Sequence, residues 1–430
     1  MNIKRIVADG VTEKEYLADV RKRGVSTDKQ VTAVVAEIID AVRDGGDNAV
    51  NAYTEKFDGS LPPYIEVPRE VINDALTAAD ESYVNALLNA IENISDFHNR
   101  QKEQSIIVPK SDGCILGQRV RGLERVGLYV PGGRAAYPSS VLMNAVPAKI
   151  AGVGEIVMVT PPLKDGTPNA DILVAAALCG VDRVFLCGGA QAVAALAFGT
   201  ETIPKCDKIV GPGNIYVATA KKLLFGTVDI DMIAGPSEIL VVADKNANPA
   251  FLAADLLSQA EHDPIASAVL ITDNENIADE TIKELEIQLA KLPKKEIAEQ
   301  SLSNFGAVII APDINSAISL ADNFAPEHLE LQIENALSYI GRVDNAGSVF
   351  LGYYTPEALG DYYAGPNHVL PTSGTARFFS PLSVYAFTKR SSFIYYTKEA
   401  LAKSADDIVT IAKKEGLDAH ANSVTIRLYE

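Results

Sequence analysis

Apolar residues recur at helical spacing over 28–43 and the pattern stops at Gly45-Gly46, which predicts a helix ended by glycine. One or two further amphipathic helices are predicted over 68–101. The rhythm then changes to short β-branched or apolar runs alternating with alanine-rich helical stretches. Strands are predicted at 126–130, 155–160, 183–187 and 208–210, with helices at 141–151, 170–179, 190–198 and 215–224 between and after them. A second series follows, with strands at 238–243, 267–272 and 307–311 and helices at 249–260 and 277–290. Such alternation implies parallel strands joined by crossover helices, hence an α/β protein with two α/β units. Beyond about residue 379 the order is less regular, with a last helix at 405–415, ended by Gly416, and a strand-like segment at 423–428. No fixed-period repeat is present and no Pro-rich linker marks a domain boundary.

Composition narrows the classes. A chain of 430 residues exceeds what one hydrophobic core usually serves. Lys plus Arg number 38 against 56 Asp plus Glu, a formal charge of -18, so the surface repels phosphate backbones and anionic lipid heads. Nucleic-acid and membrane partners are not expected, and no run reaches the roughly 18 apolar residues of a membrane span. The first ten residues lack the apolar core of a secretory signal. Cys114, Cys179, Cys187 and Cys206 form no C-x-x-C pair and read as small buried hydrophobes in a reducing cytoplasm.

Open α/β sheets bind ligands at the carboxyl ends of their strands, which directs attention to three glycine-rich turns. These are Tyr129-Val130-Pro131-Gly132-Gly133, Cys187-Gly188-Gly189-Ala190-Gln191 and Gly211-Pro212-Gly213-Asn214. Glycine admits close backbone approach and the following helix N-terminus offers free N–H groups to an anion. None matches G-x-G-x-x-G, so tight strand-to-helix turns and cofactor cradles both remain open.

Five histidines carry the sharper signal. His98 lies in a polar helical stretch and reads as solvated or capping. Gln259 and His262, three apart at the end of a predicted helix, share one face and form a candidate metal pair. Glu327-His328 sets a carboxylate beside an imidazole at a strand end, where both could face one cleft as acid–base groups or stand solvated and capping. Asp361 and His368 lie in a segment rich in Gly, Pro and aromatics that reads as a site loop. His420 follows Glu415 across Gly416, so a turn presents them.

Together these stretches resemble the histidinol dehydrogenase family, from about residue 31 to the C-terminus. The segments that carry the likeness are Gly211-Pro212-Gly213-Asn214, Ala234-Gly235-Pro236-Ser237-Glu238, Leu257-Ser258-Gln259-Ala260-Glu261-His262-Asp263-Pro264, Phe324-Ala325-Pro326-Glu327-His328-Leu329-Glu330 and Gly365-Pro366-Asn367-His368-Val369-Leu370-Pro371-Thr372. The resemblance implies a four-electron oxidation of L-histidinol through L-histidinal to L-histidine, the last step of histidine biosynthesis, with two NAD used in turn. It implies one zinc ion held by Gln259, His262, Asp361 and His420. His328 is then the general base and Glu327 activates water. The substrate is held by Ser237, Gln259, His262, His328, Asp361, Glu415 and His420, and Tyr129, Gln191 and Asn214 contact NAD. His368 takes a supporting role in its loop.

The family's architecture implies two incomplete Rossmann-like domains. A discontinuous one covers 22–128 and 239–380, and an inserted one covers 129–238. An N-terminal segment, 1–21, and a C-terminal tail, 381–430, complete the chain. The implied assembly is a cytoplasmic homodimer in which Glu415 and His420 of the tail complete the neighbour's site. Two rivals are a related zinc- and NAD-dependent amino-alcohol dehydrogenase or a hydrolase with altered substrate, and a silent binding protein for imidazole compounds. Ser237 and Glu415 argue against the first, Glu327 and His328 against the second.

Overall fold

A computed structural model describes residues 3–23, 29–132 and 137–428, so Asp28 and Gly133 of the segments above lie outside the described residues. The chain divides into two compact units. The large one comprises residues up to 101 together with 123–387, and the small one comprises 102–122 together with 388–430.

The large unit opens with β1 (Lys4–Val7), α1 (Thr12–Lys22), α2 (Lys29–Asp58), α3 (Arg69–Ala78) and α4 (Glu81–Asn99). In the small unit, β2 (Ile106–Pro109) and β3 (Ile115–Gly122) come next in the chain. The first βα series of the large unit then supplies β4 (Arg125–Tyr129), α5 (Pro138–Ala151), β5 (Glu155–Thr160), α6 (Ala170–Cys179), β6 (Arg183–Leu186), α7 (Gly189–Phe198), β7 (Lys208–Val210), α8 (Ile215–Leu224) and β8 (Asp229–Ile230). Its strands form a parallel sheet in the order β6-β5-β4-β7-β8.

The second series supplies β9 (Glu238–Ala243), α9 (Pro249–Ala260), β10 (Ser267–Thr272), α10 (Glu275–Leu289), α11 (Lys295–Phe305), β11 (Ala307–Ile310), α12 (Ile314–Phe324), β12 (His328–Gln332), β13 (Ser348–Leu351) and α13 (Glu357–Tyr362). These strands and the N-terminal β1 form a six-stranded parallel sheet in the order β1-β11-β10-β9-β12-β13.

Both parallel sheets are covered on both faces, which is why their strands read as near-continuous apolar runs. In the five-stranded sheet Val126, Leu128, Ile156, Met158, Val184 and Leu186 face one core and Val157, Val159, Phe185 and Ile209 the other. In the six-stranded sheet Ile239, Val241, Leu270 and Val308 pack with α9, α10 and α11. Leu240, Val242, Ile271, Ile309 and Leu329 face α1 and α12 on the opposite side. The period of two along every strand sets which side chain enters which core.

The small unit joins β2 and β3 antiparallel to β14 (Thr388–Tyr395), followed by α14 (Lys398–Lys414) and α15 (Asp418–Thr425). Four local expectations change. The chain turns at Gly46, with φ +54, and then resumes helix to Asp58. His98 is buried, not solvated, and its Nδ1 lies 2.8 Å from Gln101 Oε1. Asp361 stands in the short helix α13 rather than a loop. Segment 423–428 enters and follows helix α15 and forms no strand. All four cysteines are buried thiols. Among the described residues no helix is long and apolar enough to cross a membrane.

Candidate active site

One cavity of about 610 Å³ in the large unit collects most of the expected site residues: Ser237, Gln259, His262, Glu327, His328, Asp361 and Asn214 all line it. Their placement follows from how the local elements end. Helix α12 closes on Ala325, which adopts φ +56 and donates its N–H to the Ala321 and Asp322 carbonyls. That left-handed cap reverses the chain into Pro326, Glu327 and His328, the start of β12. Glu327 and His328 therefore both reach the cavity, although neighbours within a strand would point apart.

The backbone of Glu238, first residue of β9, holds both. Its N–H donates to Glu327 Oε2 at 2.9 Å, and its carbonyl accepts from His328 Nδ1 at 3.0 Å. The carbonyl has no proton to give, so Nδ1 carries one toward it, and the ring can act as a base through Nε2 once that nitrogen has given up its own proton. Nε2 lies 3.6 Å from Asp361 Oδ1 and 3.9 Å from Glu357 Oε1. The amide Nε2 of Gln259 lies 2.9 Å from Nδ1; since that nitrogen cannot donate to both neighbours, the orientation of the amide and the ring proton are linked.

Burial governs the charges here. It raises the pKa of Glu327 to about 8 and that of Glu357 to about 7. For His328 burial opposes the charged form, but the carboxylates of Glu357, Glu327 and Asp361 outweigh it and hold the pKa well above the ordinary range. Although its side chain reaches the surface, desolvation in the cavity lowers the pKa of His262 and favours the neutral ring that a metal ligand needs. Burial opposes the charge on Asp361, but the His328 hydrogen bond together with the charges of His328, His368 and His262 outweighs it and lowers the pKa.

His262, Glu357 and Asp361 bring one ligand atom each within 4.8 Å of one another. Two carboxylates beside a neutral imidazole, with an amide at Gln259, form an N/O donor set that suits zinc, manganese or cobalt. The donors fit a divalent cation. His368 also lines the cavity, and its Nδ1 donates to the Asp361 carbonyl at 3.0 Å, so it braces α13.

Sequence reasoning missed Glu357. Pro356 marks a helix start and Glu357 precedes Asp361 by one helical turn, a signal hidden when the segment is read as irregular. Glu357 is fixed by Ser258 Oγ, which donates to its Oε2 at 2.8 Å, and its own N–H donates to buried Glu330 Oε1 at 2.9 Å.

Of the residues expected to contact NAD, Asn214 caps α8 by accepting from the N–H groups of Tyr216 and Val217. Gly211, at φ +111, passes so close to Tyr129 that a Cβ would fall on the Tyr129 carbonyl oxygen. Tyr129 and Gln191 are buried and are not among the residues lining the cavity. Tyr129 Oη accepts from Gly189 N–H at 3.0 Å. Among the described residues both polar atoms of the Gln191 amide lack a hydrogen-bond partner. Glu415 and His420 belong to the small unit, where both are exposed.

The model of the histidinol dehydrogenase family matches residues 21–428. The chain belongs to the histidinol dehydrogenase family. The histidinol dehydrogenase of Listeria monocytogenes is 56% identical over 420 residues, covering 97% of this chain and 98% of that protein. The enzyme of Clostridium acetobutylicum is 53% identical over 427 residues and 99% of both chains. A crystal structure of histidinol dehydrogenase from Elizabethkingia anophelis superposes with a TM-score of 0.93 at 39% identity, over 99% of this chain and 98% of that one. Membership makes the chain an oxidoreductase of amino-acid biosynthesis.

Proposed function

We propose that the chain oxidises L-histidinol to L-histidine through L-histidinal, with two NAD and one zinc ion per site. The observation that carries this reading is the convergence of Glu327, His328, Gln259, His262 and Asp361 on one cavity. In the first step His328 Nε2 takes the alcohol proton as hydride leaves the carbinol carbon for NAD. In the second, Glu327 in its ionised form, favoured above its raised pKa of about 8, draws a proton from the water that adds to the aldehyde. The hydrate then loses a second hydride and its remaining proton, giving the carboxylate. One histidinol, one water and two NAD yield histidine, two NADH and three protons.

Zinc, bound by Gln259, His262 and Asp361, would supply a Lewis acid that anchors the substrate's imidazole and amine. Ser237 borders the cavity beside Glu238 and would contact the substrate, while Tyr129, Gln191 and Asn214 would hold NAD. Glu415 and His420, offered by the tail of a second copy, would complete the pocket, with Glu415 matching the substrate ammonium. The dimer is supported by the small unit's exposed apolar side chains, among them Ile107, 66% exposed, and Ile394, 73% exposed. An acidic, membrane-free enzyme of this kind would act in the cytoplasm.

The test is NADH yield from limiting L-histidinol before and after chelation. Two NADH per histidinol, lost with the metal and restored by zinc, is the expected result. One NADH would mean release at the aldehyde, and none would reject the substrate.

A further inference from the structure

Beside the site lies a pair of buried charges that the chemistry above does not use. Arg23, the C-cap of α1, and Glu238 have side chains only 4% and 0% exposed, with Arg23 Nη2 2.9 Å from Glu238 Oε1. Taking two charges out of water consumes much of what their attraction returns, so stability alone is a poor reason for such a pair. Geometry offers a better one. The N–H and the carbonyl of Glu238 are the groups that hold Glu327 and His328. On the β12 side the strand ladder begins only at Ile239, opposite His328, leaving the backbone of Glu238 free for these two contacts.

Arg23 fixes this residue from its side-chain end. The same Nη2 also reaches the Ser237 carbonyl at 3.4 Å, so one guanidinium grips two successive residues of the chain. Its plane is set against the Phe305 ring, 5.4 Å from the centroid. Nε and Nη1 have no hydrogen-bond partner among the described residues, so the polar commitment of Arg23 goes to positions 237 and 238. A lysine would keep the charge but present no planar fork.

We infer that Arg23 and Glu238 form a positioning clamp: the ion pair fixes the Glu238 backbone, and that backbone aims Glu327 and His328 at the substrate. The inference rests on the roles proposed for those two residues. Arg23 also lines the cavity and feels the Glu327 charge, but its hydrogen bonds among the described residues go to Ser237 and Glu238, and its proposed action is through that backbone. It therefore predicts a loss in turnover rather than in binding.

The experiment compares full-length Arg23→Met, Arg23→Lys, Glu238→Gln and the double variant Arg23→Met/Glu238→Gln, with Glu327→Gln and His328→Ala as controls. Turnover and KM for L-histidinol, bound zinc and thermal melting are measured for each. Arg23→Met and Glu238→Gln should lower kcat by on the order of ten- to hundredfold, the cost of a small misplacement at a reacting centre. KM and zinc content should stay near those of the parent, and Arg23→Lys should lie between. The double variant should lose no more than the worse single one, because the clamp is already open. It leaves no buried charge unpaired, so it keeps the test decisive if a single variant does not fold. Parent-like kcat in folded variants, additive losses, or a raised KM at unchanged kcat would each overturn the clamp. If the two control variants turn over like the parent, the reading of Glu327 and His328 falls first; if the controls are inactive while the clamp variants are not, only the clamp falls.

Discussion

The two parallel sheets of the large unit are built alike, and the residues proposed for cofactor and for substrate stand at opposite ends of them. In the five-stranded sheet Tyr129, Gln191 and Asn214 stand at or just after the carboxyl ends of β4, β6 and β7, where α7 and α8 begin. In the six-stranded sheet Ser237, Glu238, Glu327 and His328 stand at the amino ends of β9 and β12, where α9 and α12 finish. The difference follows the sign of the charge each end tolerates. Helix N-termini offer unpaired N–H groups and suit the phosphates of a dinucleotide. Helix C-termini present carbonyls and a partial negative charge, which suits a metal ion and a substrate ammonium. The rule that ligands gather at carboxyl strand ends therefore describes the half that would hold an anionic cofactor and misses the half that would hold cations.

Breaking the cationic half should have the largest effect. His262→Ala is expected to lose bound zinc and turnover together, with elemental analysis of the purified protein as the check; full metal content would remove His262 from the ligand set. His328→Ala should keep the metal and lose about 10²–10⁴ in kcat, the usual worth of a positioned base. NADH binding, followed by its fluorescence, should be unchanged in both if the two ends are functionally separate.

On the anionic side the effects should be smaller. Asn214→Ala should raise KM for NAD by roughly three- to tenfold, the scale of one hydrogen bond, and leave histidinol binding alone. It should also cost about 1 kcal/mol of stability, because the same side chain caps α8. A matching rise in KM for histidinol would blur the comparison. The smallest effect concerns His98, which contacts neither end and whose pKa burial lowers. Its neutral form is favoured in the fold, so its stabilising contribution is complete above the ordinary pKa of 6.5 and is lost as pH falls from there through the depressed value. Urea midpoints at pH 7.5 and 5 should differ less in His98→Phe than in the parent, which separates acid unfolding from acid loss of turnover.

The sequence made the βα alternation plain because both sheets are buried on two faces and their strands are uninterrupted apolar runs. His98 was misleading because Asp96, Asn99 and Arg100 surround it, yet Leu87, Ala90, Ile94 and His98 fall three to four apart and form the buried stripe of α4. Segment 423–428 alternates Val424, Ile426 and Leu428 with polar residues, a period of two that short-range packing of α15 against α14 overrides. Most of the site was legible through its unusual residue types, Gln259, His262, Glu327, His328 and Asp361. Arg23 was not, since a lone arginine at a helix end carries no pattern and its importance arises only from a partner 215 positions away.

The pairing of β3 with β14 has a consequence for how the protein is made. Residues 115–122 leave the ribosome long before residues 388–395, their partners along the full length of the strand. Until then β3 has only the short, exposed β2 to pair with, and an open strand edge, with its unpaired backbone groups, is a template for association with other chains. The small unit therefore closes last, and a nascent chain that stalls before residue 388 should be marked by that edge as unfinished.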